Sequence, residues 1–392
     1  MKNIVIILIF LSIAFSLQAQ QTIGNVLLQI EENNTVLTAM KKETEAEKIG
    51  NKTGIYLENP EVEYEYLWGV DNSDESVQKF SVTQSFDFPT SYYYKKKLSD
   101  NQNEQVDLEF RIKRKEILLE AKKLCIELVY QQNLSKELKE QFELMESIQE
   151  KYLKKFDNGD LNIIELNKSK FELINKQREY EYALAELNFL RTELIRLNGG
   201  KDLDLSNLES DVLSFPASFE EWYALAKSQN ISLLHLQQET SLIQKTEKLQ
   251  RSMNLPKLSA GYSSEKGVVD HFRGVVVGMS IPLFENKNTV KQLKAQKQAS
   301  LASEINEELR FYNESKALYD KANALNKALD SYTISSPDYK VLDHLYNAME
   351  FGEISAIEFF LELNMYYDIM LNMHEIKRDR NLVIAELTQW EL

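Results

Sequence analysis

Gly159-Asp160-Leu161-Asn162-Ile163-Ile164-Glu165 and Gly352-Glu353-Ile354-Ser355-Ala356-Ile357-Glu358 are two copies of one motif, set 193 residues apart. In each, a glycine is followed by an acid, an apolar residue and, six places on, a glutamate. Both sit between long stretches of helical period. A glycine adopts positive φ at little cost, so each copy reads as a sharp reversal between two helices. Further boundaries repeat. Phe88-Pro89 parallels Ile281-Pro282 at the same spacing, and Asn59-Pro60-Glu61-Val62 parallels Leu255-Pro256-Lys257-Leu258 at 196. Matched punctuation at successive boundaries indicates a tandem duplication.

Outward from these tips, the first repeat covers residues 20–200. Its pattern predicts a helix over 22–57, strands at Pro60–Trp68 and Val77–Phe88, and a helix from Ser91 to Phe156. The break at 157–161 follows, then a helix from Leu161 to Leu197, closed by Asn198-Gly199-Gly200. Residues 201–218 form a connector containing Pro216. The second repeat, 219–392, predicts a helix over Phe219–Met253 and strands at Leu258–Ser264 and Arg273–Leu283. A long helix then runs from Lys287 towards Met349, with a kink at Ser336-Pro337. The second tip lies at 351–354 and a last helix ends the chain. Only 12 glycines and 6 prolines punctuate 392 residues, which favours long helices over many turns.

A helix of about 65 residues spans roughly 100 Å at 1.5 Å per residue, longer than a compact domain uses. Leu134, Leu138, Phe142, Met145, Ile148, Tyr152 and Phe156 recur at steps of three and four, as do Leu187, Leu190, Leu194 and Leu197. Such stripes are seams of coiled-coil type. A long helix beside two stacked shorter ones, in both halves, makes a helical column with the tips at its end.

The strands alternate. Val62, Tyr64, Tyr66 and Trp68 interleave with Glu61, Glu63 and Glu65; Phe80, Val82, Phe86 and Phe88 with Lys79, Ser81, Thr83, Ser85 and Asp87; Val275, Val277, Met279 and Ile281 with Gly274, Gly278 and Ser280. One face is apolar, the other polar or small. That pattern fits a sheet lying on a soluble core, and equally a membrane barrel with lipid outside and water inside. Four strands cannot close alone, and an open edge cannot sit in lipid. Three chains would supply twelve strands, enough to close. Tyr92-Tyr93-Tyr94 and Lys95-Lys96-Lys97, directly after the second strand, suit a membrane interface.

Met1-Lys2-Asn3 precedes an apolar run from Ile4 to Phe15, the pattern of a signal peptide over residues 1–19 cleaved after Ala19. No other stretch is long and apolar enough for a membrane helix. The single cysteine, Cys125, excludes an intrachain disulfide and reads as a buried filler. A net charge of −15 argues against nucleic-acid binding.

These features together resemble the outer-membrane efflux protein family, of which TolC is the type. The resemblance covers nearly the whole chain beyond the leader. It rests on the duplicated helix–strand–strand–helix plan, the two glycine tips, the proline-started strands and Pro337 ahead of the second tip. The fold it implies is mainly α with a small β part: a long α-helical coiled-coil barrel plus transmembrane β-barrel strands, four per chain and twelve in a homotrimer. The function it implies is a passive duct across the outer membrane of a Gram-negative bacterium, with a long periplasmic part. Its implied partners are outer-membrane lipid, a periplasmic adaptor (membrane fusion) protein and an inner-membrane efflux pump. Metal cations or small toxic compounds would be the cargo. Gly159, Asp160, Leu161, Gly352, Glu353 and Ile354 would then be the adaptor-binding tips, with Leu161 and Ile354 exposing apolar surface. Glu165 and Glu358 match the family's acidic position near the pore constriction. They read either as rings of carboxylates in a trimer or as solvated or packing-edge charges. The basic residue that the family often has two places after the second tip glycine is Ile354 here.

No nucleotide-binding, hydrolase or metalloprotease motif occurs, so no enzyme and no cofactor are expected. His235, His271, His344 and His374 are scattered. Met365, Met370, Met373 and His374 share a helix and read as core rather than as a metal site. A soluble periplasmic adaptor or scaffold is the rival reading. An adaptor should carry a lipoyl-like β domain and no duplication, and neither holds here.

Overall fold

The structure, a computed structural model, describes residues 22–70, 76–206, 208, 214–284, 286–335 and 340–392. The expected leader and the expected kink at Ser336-Pro337 lie outside them. The first repeat contains α1 (Ile23–Asn33), α2 (Thr35–Gly50), β1 (Glu61–Trp68), β2 (Ser76–Phe86), α3 (Pro89–Asp157) and α4 (Ile163–Leu197). The second contains α5 (Phe219–Gln229), α6 (Ile231–Met253), β3 (Lys257–Lys266), β4 (His271–Ser280), α7 (Thr289–Ser335), α8 (Lys340–Glu350) and α9 (Ala356–Leu387), closed by a 3-10 turn at Gln389–Glu391.

The two helices expected over 22–57 and Phe219–Met253 are each broken. Asn34 and Asn230 adopt extended backbone, with φ −62 and −68 and ψ 121 and 109. Asn34 Oδ1 accepts from the Leu37 N–H, and Asn230 Oδ1 from the Ser232 and Leu233 N–H groups. Asparagine competes with the helix by taking over backbone donors, so it restarts the helix as a cap. These two breaks are themselves duplicated, 196 residues apart. The first helical segment also ends earlier than expected, at Gly50. β2 stops at Phe86, short of Phe88, because Asp87 turns inward and Pro89 opens α3, and β4 stops at Ser280, short of Leu283.

The four strands form one antiparallel sheet in the order β1-β2-β3-β4. Phe86 stands opposite Leu258, and Leu258 opposite Met279, so β2 and β4 leave the sheet at the same end. The central β2–β3 pairing joins the two repeats.

The chain forms two compact units, each drawing on both repeats. One comprises Arg114–Leu225 and Asn313–Leu392 with the start of the chain up to Thr38. The other comprises Ala39–Lys113 and Ala226–Tyr312 and contains the sheet. In the first, the stripe on α3 is core: Leu138, Met145, Ile148 and Tyr152 are buried, as are Leu187, Leu190, Leu194 and Leu197 on α4. Cys125 is fully buried there, and burial pushes its thiol up to about 12. In the sheet-bearing unit the buried apolar side chains, Val106, Ile231, Leu233 and Leu249, are joined by polar contacts between helices. Thr240 and Ser300 hydroxyls meet at 2.7 Å, the Asn101 amide donates to Ser241 at 3.3 Å, and Gln238 donates to the Asn101 carbonyl at 3.1 Å.

Candidate functional site

Both hairpin tips are built the same way. Gly159 and Gly352 have φ +84 and +75. The Gly159 N–H donates to the Phe156 carbonyl and the Asp160 N–H to Lys155; the Gly352 N–H donates to Met349 and Glu353 to Ala348. This is the Schellman arrangement, which satisfies the last carbonyls of α3 and α8. A Cβ on either glycine would meet nothing within 4 Å, so the backbone angle alone selects glycine. Three residues on, Asn162 and Ser355 cap α4 and α9. Glu165 and Glu358 sit at the third helical position and reach back to those caps. Asn162 Nδ2 donates to Glu165 at 2.9 Å, and the Ser355 N–H and Oγ–H both donate to Glu358 at 2.8 Å. Ser355 and Glu358 thus complete a capping box, and Glu165 supports its cap through the Asn162 side-chain amide. The backbone hydrogen bond from Ser355, then its hydroxyl, holds the exposed Glu358 carboxyl below the ordinary glutamate range.

Leu161 and Ile354 do not project outward as expected. Both are half-buried and pack on a cluster of Met145, Ile148, Tyr152, Leu166, Phe359, Phe360, Leu363, Tyr366, Tyr367 and Met370. That cluster joins the first tip to the second. Phe359 and Phe360 are 1% and 2% exposed, and burying each is worth about 1.5–3 kcal/mol. The Tyr152 ring meets Phe360 edge-on at 6.3 Å. Burial, with the Glu165 and Glu350 carboxylates adding to it, pushes the Tyr152 hydroxyl up to about 12. Lys151 donates to the Tyr346 hydroxyl and lies 3.5 Å from Glu350, a second tie between the hairpins. The apolar side chains that do project at the tips are Ile163, Ile164, Phe351 and Ile357. Ile164 and Ile357 occupy equivalent places in the two repeats.

The sheet disposes of its apolar residues differently. Pairing sets Tyr66, Val82, Tyr262, Val275 and their neighbours Val62, Tyr64, Phe80, Leu258, Ala260, Val277 and Met279 on one face. That face is open, with Val275 87% and Val277 81% exposed. The opposite face is mixed: Glu61, Glu63, Glu65, Lys79, Ser81, Thr83, Ser263 and Glu265 lie among Leu67, Val77, Phe272 and Val276, and Lys79 pairs with Glu265 at 3.5 Å. Small residues let the strands approach: a Cβ on Gly261 would lie 2.4 Å from the Val82 carbonyl oxygen. β1 and β4 each keep one unpaired edge within the chain.

No protein-family model matches the chain, and no curated protein sequence does either. Solved structures do match, at low identity over nearly the whole length. The CmeC outer membrane channel of Campylobacter jejuni superimposes with a TM-score of 0.76 and 14% identity, covering 94% of this chain and 85% of that one. The open state of the MtrE outer membrane channel of Neisseria gonorrhoeae gives 0.76 and 12%, covering 94% and 88%. CusC, in a structure describing transmembrane channel formation, gives 0.72 and 13%, covering 94% and 91%. The chain has a TolC-like fold. Among the described residues the small antiparallel sheet, the duplicated hairpins and the unbroken 69 residues of α3 fit that fold.

Within the TolC-like fold the remaining sequence expectations fall as follows. Met370 and Met373 pack in the tip cluster, whereas Met365 is exposed. His374 meets Glu137 at 3.3 Å, His235 meets Glu109 at 3.4 Å, and His271 meets the Ser264 hydroxyl at 3.0 Å. Among the described residues no three metal-ligating side chains of the His, Cys, Asp and Glu types converge. A second stripe on α4, Phe171, Ile174, Tyr182 and Phe189, faces away from the core and is exposed.

Proposed function

We propose that this chain is the outer-membrane channel subunit of a tripartite efflux system, working as a homotrimer and as a passive duct. The observation that carries the reading is the open sheet: four antiparallel strands of 8 to 11 residues, one exposed and mainly apolar face, one mixed and more polar face, and two free edges. Water does not favour an apolar face of this kind, and lipid does not tolerate a free strand edge. Three copies closed into twelve strands satisfy both conditions. The exposed α4 stripe supplies an apolar surface for neighbouring helices in the same trimer. Fractionation of cells expressing the full chain tests this. The protein should leave the outer membrane only with detergent, at three times the protomer mass. A monomer released by lysis alone would sink the proposal.

The tips are proposed as the site for a periplasmic adaptor, which links the duct to an inner-membrane pump. Gly159, Asp160, Gly352 and Glu353 shape that surface. Its apolar contacts are assigned to Ile164, Ile357 and Phe351, since Leu161 and Ile354 serve the cluster beneath. Ile164→Asp with Ile357→Asp should leave the trimer intact and abolish export through the cognate pump; full export would move the contact elsewhere. In a trimer, Glu165 and Glu358 would also recur as rings of carboxylates. Glutamine retains the capping box, so conductance of a Glu165→Gln, Glu358→Gln trimer isolates the charge. Unchanged cation preference would leave both residues as caps alone.

A further inference from the structure

A lysine surface at one end of the sheet is left unused by the duct and by the tips. From Phe88 to Ser99 the chain carries Lys95, Lys96 and Lys97 and no acid; from Asn286 to Ser303 it carries Lys287, Lys291, Lys294 and Lys297 and no acid. Two such segments, at matching places in the repeats, are unusual in a chain of net charge −15. Neither α3 nor α7 has an acid in its first turn. Lys291, in the first turn of α7, opposes the helix dipole, and the other lysines lie outside the first turns of α3 and α7, so the dipole does not explain the placement. β2 and β4 run out of the sheet at the same end, so both lysine segments begin there.

The lysines are not equivalent. Lys95 is committed internally, donating at 2.8 Å to Asp87, which is 6% exposed and also lies 3.6 Å from Lys257. Lys96, Lys97, Lys287, Lys291 and Lys294 are exposed and Lys297 half-exposed, and among the described residues none of the six has a carboxylate partner. Lys97 lies over the Tyr93 ring at 6.0 Å, and Tyr93 is itself exposed. The open apolar face ends in the same row, at Leu258 and Met279. An apolar wall that ends at aromatic rings and unpaired lysines has the chemistry of a lipid surface: acyl chains against the strands, phosphates against the ammonium groups.

We infer that Lys96, Lys97, Lys287, Lys291, Lys294 and Lys297 form a collar that binds the phosphate headgroups of anionic phospholipid in the leaflet beside the helical end of the barrel. The inference rests on the reading of the sheet as a membrane barrel. Its effect is to fix the depth of the barrel in the bilayer and to make assembly depend on headgroup charge. Near a membrane surface each lysine favours anionic headgroups, so six lysines set a preference that salt weakens.

The test uses the full-length protein and a variant with all six lysines changed to glutamine. Each is incubated with vesicles of pure phosphatidylcholine, with vesicles containing phosphatidylglycerol, and with inorganic phosphate at matched ionic strength. Flotation and melting temperature are followed. The unaltered protein should prefer phosphatidylglycerol vesicles at least about tenfold, and glutamine should erase that preference while leaving flotation with phosphatidylcholine intact. A variant with arginine at all six positions should keep it. If the glutamine variant does not assemble, changing only the four lysines of 287–297 should lose part of the preference. Equal headgroup preference in the unaltered and glutamine proteins, or stabilisation reproduced in full by inorganic phosphate, overturns the collar and leaves the barrel standing. Failure of both proteins to float with any vesicle overturns the barrel and the collar together.

Discussion

The hairpin tips and the sheet are both duplicated and both rich in apolar side chains, yet they dispose of them in opposite ways. At the tips, α3, α4, α8 and α9 turn Phe359, Phe360, Tyr152 and Met145 onto one another, and the cluster closes within a single chain. In the sheet, the strands turn Val62, Tyr64, Val275 and Val277 outward, and nothing among the described residues covers them. Beside the sheet, the helices add polar contacts through Asn101, Thr240 and Ser300 to the buried Val106, Leu233 and Leu249. A closed cluster needs only its own chain to be stable. An open sheet needs either lipid or further copies.

The largest effect that would sharpen this contrast is at the tip. Phe360→Ala should destabilise the tip hairpins by about 3–5 kcal/mol, read as lost hydrogen-exchange protection in α8 and α9. The loss should be the same in detergent and in bilayers, because the cluster does not depend on its surroundings. The sheet should behave otherwise. Val277→Arg should cost about 2–4 kcal/mol per chain only when the sheet is in a bilayer, and Ser85→Arg on the other face should be mild. Equal sensitivity at both sites, measured by trimer yield after reconstitution, would break the contrast.

Smaller effects test the tip turn. Gly352→Val should cost about 1–3 kcal/mol through the positive φ, while Gly352→Asn should cost much less, since asparagine enters that region and no neighbour blocks its Cβ. At Gly199 even asparagine should fail, because a Cβ there would lie 2.4 Å from the Asn33 carbonyl oxygen. Thermal melts of the three variants would separate strain from crowding. The smallest effect concerns pH. Glu358 titrates below an ordinary glutamate in the folded tip, so its contribution is fully present above the ordinary value. It is lost as pH falls through the depressed folded value. The start of α9 should therefore fray in acid, and Glu358→Gln should remove most of that acid dependence, as amide exchange at Ala356 and Ile357 would show.

Much of this architecture is legible in the residues. Glycine at 159, 199 and 352, proline at 60, 89 and 256, and alternation in the strands each act locally, and local rules read them. The apolar stripe of α3 is legible for the same reason. What escaped depends on partners distant in sequence. Leu161 and Ile354 follow a turn and look exposed, but each folds onto aromatic residues from both repeats. The breaks at Asn34 and Asn230 escaped because asparagine is a weak stop inside an apolar-periodic run. The capping role of Glu165 and Glu358 was within reach: Asn162 and Ser355, three places ahead, complete the pattern. The spacing from the tip glycine drew attention away from it.

The β2–β3 pairing has one more consequence. Among the described residues it is the one strand pairing between the two repeats, and the duplication turns it into a template. Shifting β2 onto β4 by 193 residues and β3 onto β1 by 196 converts Phe86 opposite Leu258 into Met279 opposite Val62 of the next copy. Val82 opposite Tyr262 becomes Val275 opposite Tyr66, and Phe80 opposite Ser264 becomes Arg273 opposite Trp68. The apolar residues of these three pairs stay on the apolar face. The proposed trimer would thus repeat six hairpins around a ring, with three seams covalently continuous and three of the same register formed between separate chains.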